Sequence, residues 1–538
     1  MASWVDFNSG TSPFQTAIVL SLLFLLLVIA TDLIDGHIQR RRLRGIPLID
    51  DGSRLSPVLR WTRSKWDLKA AYSHAYQTYT KQGLPWAARL PHNGYCVILP
   101  WESSRGWRNL PRDHVSFMHM VNVVNGMDYH HSDVTAQLPV DAIYKYSNRE
   151  SSLRQFEETF LRSLSDFLPG TFPIGENNAW YEVNTMEAMF RMMMKVAASF
   201  LIGPEFATDD DFVTLTLSYT SQINAVTTAV YSYPRILRPL VWQMAPACRG
   251  IRSSIAALKK KLIPEIRARV NRARSGEKKE GLSLLDVLID TALQQDNFEC
   301  DARSAEAARM VDQLAQHTMF FFFDAAGPIA MLTSLMLYRI MATPIHAAPL
   351  RAEIKEALNA TGSEWRFEIL SRMPRLESFS REVLRLHVPL VWSLGRQILK
   401  PVTIKSLELT FQPGDLIATP VFFMHTDPDL YPDATTFDPD RFFDPVSKKC
   451  VPRAATATDT YLTFGQGTCA CPGRTLGMRA VLITLAEILM RYEVEFADGR
   501  QDFPSNVLTS GFNMCDPTVM MRIRKREFIK NSVNATNP

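Results

Sequence analysis

The residues best equipped to do chemistry lie in one ten-residue stretch, Phe464-Gly465-Gln466-Gly467-Thr468-Cys469-Ala470-Cys471-Pro472-Gly473. A cysteine thiolate is a nucleophile and a soft metal ligand, and both properties depend on what stabilises its charge. Glycines at 465 and 467 permit tight turns that a Cβ would block. Pro472 pushes Cys471 toward an extended backbone and pre-sets a helix start just behind it. Residues 474–492 are apolar at helical spacing, so backbone N–H groups and a helix N-terminus would lie beside a thiolate at 471. Taken alone, the stretch could present one cysteine to a metal, form a two-cysteine metal site, or be a Gly-rich turn.

Positioning such a loop takes a large scaffold. The 538 residues, 46% hydrophobic and 21% charged, suffice for one large domain with an ample core. A net charge of +4 is too mild to argue for nucleic acid, and none is expected as a partner. The cysteines at 96, 248, 300, 450, 469, 471 and 515 show no disulfide-framework spacing, which suits a reducing compartment.

Periodicity predicts helices over Trp66–Lys81, Val134–Leu168, Asn184–Leu201, Ile251–Asn271 and Arg375–Arg385, with Pro264 kinking or splitting the fourth. A long helical stretch, Ala302–Ala342, is expected to break at Gly327-Pro328. Tyr95–Pro100 reads as a strand, and Leu407–Ala418 as paired strands around Pro413-Gly414. The expected class is mainly α with small β sheets. No Gly-x-Gly-x-x-Gly opens a helix, so the chain itself is expected to bind neither a nicotinamide nor a flavin cofactor.

The cysteine stretch resembles the haem-binding loop of the cytochrome P-450 superfamily, Phe-x-x-Gly-x-x-x-Cys-x-Gly, with Phe464, Gly467, Cys471 and Gly473 in register. The resemblance implies a cytochrome P-450 fold. It also implies a haem b cofactor whose iron takes Cys471 as axial thiolate, a ligand that favours O–O cleavage. Two further motifs match. Glu382-Val383-Leu384-Arg385 puts a carboxylate and a guanidinium on one helix face. Arg441 lies in Phe437-Asp438-Pro439-Asp440-Arg441-Phe442. In the family the equivalents of Glu382, Arg385 and Arg441 form a buried ion-pair cluster under the haem core, near a position matched by His425. Arg396 falls where the family often pairs a basic residue with a haem propionate; a solvated surface arginine is the other reading. Trp101-x-x-x-Arg105 follows the first strand too closely to be the family's propionate motif, and Lys145 or Arg149 is the alternative.

The chain departs from the family in two places. The distal helix of the family carries an acid–threonine pair that relays protons to dioxygen. Counting back from Pro344 without gaps puts Gly327 at the acid position and Pro328 at the threonine position. Asp324, one turn earlier, either relays protons through water or is an ordinary polar residue beside a kink. Thr333 is rotated too far round the helix to substitute. Cys469 stands where a basic residue is common, two before the ligand. The first reading is therefore a monooxygenase acting on a lipophilic terpenoid- or polyketide-like molecule of secondary metabolism. The alternative is an enzyme of the same fold that rearranges, dehydrates or isomerises its substrate.

At the N-terminus, 14–34 is apolar enough to span a bilayer, and Arg40, Arg41, Arg42 and Arg44 follow it. We expect a lumenal 1–13, a single-pass anchor over 14–34, a basic, proline-containing hinge over 35–60, a cytosolic catalytic domain over 61–530 and a tail over 531–538. The anchor points to the endoplasmic reticulum membrane. Lys448, Lys449, Arg474 and Arg479 flank the cysteine loop, offering a basic face to an NADPH-dependent flavoprotein reductase.

Overall fold

The computed structural model describes residues 13–43, 45–49, 67–90, 94–131, 135–148, 150–172, 179–277, 282–294, 304–362, 364–508 and 511–526. Expectations placed on Arg44, Trp66, Val134, Arg149 and Ala302, on most of 1–13, on 50–60 of the hinge and on the tail 531–538 lie outside the described residues.

Helices dominate, with small sheets between them. The apolar N-terminal run forms one helix, Pro13–Arg42, that carries through the arginines expected to begin the hinge. The backbone turns at Gly45, where φ is +85°. Within the run predicted over 134–168, Leu138–Asn148 and Glu150–Thr171 are helical. Asn184 caps Thr185–Leu201 by accepting from the Glu187 N–H.

Two expectations are corrected. Of the two expected effects of Pro264, the split does not occur: the helix runs unbroken from Pro246 to Arg274. Its buried stripe of Ile251, Leu258, Leu262, Ile266 and Val270 packs against neighbours before and after the proline, and this burial outweighs one lost backbone bond. The strands either side of Pro413-Gly414 do not pair with each other. Leu409–Phe411 pairs with Val402–Ile404. Leu416–Thr419 joins a six-stranded sheet, parallel to Tyr95–Ile98 and antiparallel to Ser393–Ile398. Alternation predicted the strands, while side-chain packing chose their partners.

The long central helix passes through the core. Ala305–Phe321 and Gly327–Ala342 are joined by a π-helical turn over Phe322–Ala326. The predicted break is thus a widened turn ahead of Gly327. Pro328 brings no N–H, so the turn before it loses a helical donor, and the wider turn makes room for the proline ring.

Two apolar cores flank the cysteine loop. One lies among the helices and the other behind the six-stranded sheet, around Tyr72, Trp86 and Trp392. Leu462 belongs to the sheet-side core, and Phe464, two residues on, packs against the helical one. The loop is therefore held at the seam between them.

Candidate active site

The loop from Leu462 to Gly473 is fixed by backbone bonds. The Gly465 N–H donates to Leu462 O at 3.0 Å, Ala470 N–H to Gly467 O at 3.1 Å, and Cys471 N–H to Phe464 O at 2.9 Å. Gly465 and Gly467 have φ of +66° and +77°, the left-handed region that favours glycine. At Gly467 a Cβ would meet the Arg108 carbonyl oxygen at 2.1 Å, so glycine is also needed for close approach. The chain then enters the helix Arg474–Arg491. The Arg474 guanidinium donates back to Cys471 O at 2.7 Å.

Cys471 and Asp324 keep accessible surface, yet both are densely surrounded by protein. Solvent reaches both residues only through a recess crowded by protein. Burial pushes the Cys471 thiol up to about 11, and the Asp324 carboxylate adds to the rise. The backbone N–H groups of Gly473 and Arg474 and the Arg474 charge pull the other way. Those N–H groups are the anion-stabilising donors predicted at the helix start. Burial raises the Asp324 carboxyl to about 6. Cys469, two residues before Cys471, is half-buried beside Thr468, whose hydroxyl lies 3.8 Å from its sulfur.

Gly327 turns toward Phe190, whose ring would lie 3.7 Å from an added Cβ. The Thr333 hydroxyl is fully buried and donates to Ile329 O at 2.8 Å, within its own helix. In this stretch Asp324 is the acid that the helix turns into the recess, on the π-helical turn.

Beneath the loop, Glu382, Arg385 and Arg441 are brought together. Arg385 Nε and Nη2 donate to the two Glu382 oxygens at 2.7 Å each, and Arg441 Nε to Glu382 Oε1 at 3.0 Å. Glu382 and Arg385 are fully buried. Arg385 Nη1 also donates to the carbonyls of Ala434 and His425. The His425 ring bridges this cluster to the loop, with Nδ1 3.1 Å from Arg385 O and Nε2 accepting from the Leu462 N–H at 3.2 Å. Burial and the Arg385 charge lower His425 to about 3, so its ring is neutral.

Arg396 is 1% exposed, which excludes the surface reading. It lies in the strand Ser393–Ile398, with Nη2 3.4 Å from Gln466 O and Nε without a partner among the described residues. Sequence reasoning missed its neighbour. Arg112 lies close enough for its charge to act on Arg396, and it donates to Thr468 O at 3.2 Å. Arg112 also covers the ring of Tyr144, whose hydroxyl reaches Ala470 O at 3.4 Å. No motif marks Arg112 or Tyr144; only the fold brings them to the loop. Arg105 is exposed and pairs with Asp459, and Lys145 turns to Gln294 at 2.8 Å. Arg479 stacks over Phe367.

These residues fit a haem. A cysteine sulfur faces an internal recess, a glycine admits close backbone approach, and two neighbouring guanidiniums, one with a buried unpaired nitrogen, suit the carboxylate arms of the macrocycle.

The family model described as Cytochrome P450 matches residues 149–521. The cytochrome P450 monooxygenase cpsD of Aspergillus campestris (strain IBT 28561) is 34% identical over 95% of this chain and 93% of its own length. The bicoumarin synthase desC of Aspergillus desertorum is 32% identical over 93% of this chain and 94% of its own. Among solved structures, the retinoic acid bound cyanobacterial CYP120A1 superposes with a TM-score of 0.63 at 16% identity, covering 89% of this chain and 99% of that one.

Proposed function

The chain belongs to the cytochrome P450 family, and on that premise we propose that it is a haem–thiolate monooxygenase of fungal-type secondary metabolism acting on a lipophilic, polyketide- or terpenoid-like molecule. The observation that carries this reading is the Cys471 sulfur facing the recess below Asp324, with full-length monooxygenase relatives around it. The group to be held is haem b, which supplies dioxygen activation when bound to a thiolate.

The chain's own part follows from its residues. Cys471 holds the metal, and the N–H groups of Gly473 and Arg474 stabilise its negative charge. Arg396 and Arg112 neutralise the carboxylate arms. The Glu382–Arg385–Arg441 cluster and His425 hold the loop in position and touch no reacting atom. Asp324 holds a proton at its carboxyl and releases it into the recess, the task that Gly327 and Pro328 cannot perform. Phe320, Phe321 and Phe322, just before Asp324 in the chain, are all buried.

A membrane location accords with the exposed apolar helix Pro13–Arg42. Tyr233, Ile236, Leu240 and Met244 add exposed apolar surface around the segment Arg235–Leu237, which that helix contacts. We assign the anchor to the endoplasmic reticulum, with a flavoprotein reductase as electron donor. Because residues 327 and 328 lack the acid–alcohol pair, a rearranging or dehydrating enzyme is the second reading. Purified protein decides between them. Turnover that strictly requires NADPH, reductase and dioxygen is expected; turnover without all three would establish the second reading.

A further inference from the structure

Two guanidiniums stand close together at the cysteine loop, on the carbonyls either side of Gly467. Arg396 Nη2 lies 3.4 Å from Gln466 O, and Arg112 Nε and Nη2 reach Thr468 O at 3.3 and 3.2 Å. Among the described residues, the hydrogen bonds of Arg396 go to the carbonyls of Gly395 and Gln466, and its buried Nε has no partner. The nearest carboxylate paired with Arg112 is Asp141, 3.8 Å from Nη1. Burial lowers the Arg396 guanidinium below its ordinary range, and the Arg112 charge adds to the fall. Like charges held together in this way are costly unless an anion joins them.

Arg112 lies between the turn Trp101–Gly106 and the strand Val115–Ser116, and it is 34% exposed. Its bonds to the loop are long, too weak to confine a flexible side chain to one rotamer. Tyr144 supplies what they lack. The Arg112 guanidinium lies over the Tyr144 ring, 5.2 Å from its centre, and the Tyr144 hydroxyl donates to Ala470 O at 3.4 Å. Arg112 thus takes the carbonyl before Cys469, Tyr144 takes the one after it, and the two side chains touch. Asp141 and Tyr144 both come from the helix Leu138–Asn148, one turn apart. A carboxylate in place of the ring would neutralise the guanidinium. The ring orients it and leaves its charge and its fork of donors available.

We propose that Tyr144 is a positioning residue of the haem site: its ring holds the Arg112 guanidinium beside Arg396, so that the two cations together retain a carboxylate arm of the haem. Arg112 acts on that arm directly, and Tyr144 acts through Arg112. This inference rests on the haem reading of the Cys471 site and is independent of the reaction catalysed there.

Transfer of haem from the ferric holoenzyme to excess apomyoglobin tests it. R112M loses one charge-assisted contact and is expected to release haem about tenfold faster than wild type. Y144L and Y144M, which fill the space without a ring, should each speed release about fivefold. R112M/Y144L should release haem no faster than R112M, because both substitutions act on one contact. A tyrosine with a merely structural role would instead multiply the two effects. Y144F keeps the ring and loses only a long hydroxyl contact, so its rate should stay within about twofold of wild type. R112K, with the charge but no planar fork, should fall between wild type and R112M. Multiplied rates in the double variant, wild-type release by R112M or by both Y144L and Y144M, or a Y144F as fast as R112M would overturn the proposal. Turnover without NADPH and dioxygen would overturn the monooxygenase reading and leave this role of Tyr144 intact. A wild type without the red-shifted band of the reduced carbon monoxide complex would overturn the haem–thiolate site itself.

Discussion

The Asp324 carboxylate acts on the Cys471 sulfur: after burial itself, it is the largest influence raising that thiol. The two residues come from different ends of the fold, one on the π-helical turn of the central helix and one on the loop before Arg474–Arg491. That influence places a buried acid and the candidate ligand sulfur at one recess.

That relationship predicts a pH dependence. A carboxyl raised to about 6 is mostly protonated below that pH and loses its proton above it. The fraction of NADPH electrons recovered in product should therefore decline as pH rises through about 6. In Asp324→Asn it should be lower by at least about tenfold and no longer move with pH there. A pH profile of the variant matching the wild type would remove Asp324 from the mechanism.

The two cysteines of the loop should separate spectroscopically. Cys471→Ser is expected to lose the red-shifted Soret band of the reduced carbon monoxide complex, because its N–H-stabilised sulfur is gone. Cys469→Ser should keep it. The reverse pattern would mean that Cys469 is the ligand.

Gly467→Ala should disrupt the loop from two directions. Its Cβ would collide with the Arg108 carbonyl, and φ of +77° disfavours any side chain. We expect a loss of about 1–3 kcal/mol on thermal unfolding, together with faster haem release to apomyoglobin.

Glu382→Ala removes the one carboxylate that binds both Arg385 and Arg441. Breaking a buried pair from one side costs about 3–5 kcal/mol, since the remaining charge is left uncompensated. The variant should show a markedly lower Tm and retain little haem. Near-wild-type stability would show that the cluster can be hydrated or repacked.

Local features follow from short spacings along the chain. The glycines, Pro472 and Cys471 dictate a tight turn into a helix, and Glu382 and Arg385, three apart, must share a helix face. The π-helical turn was half legible: Pro328 announced a disturbance, but its form depends on how the helix packs. Long-range packing settles which distant groups meet. It set Arg112 beside Arg396 and Tyr144 on Ala470, paired Leu416–Thr419 with Tyr95–Ile98, and set His130 edge-on to Tyr219. It also kept Pro264 inside a continuous helix. The difference is one of range. Backbone geometry is imposed over a few residues, whereas burial acts between segments hundreds of residues apart and leaves no periodicity that names the partner.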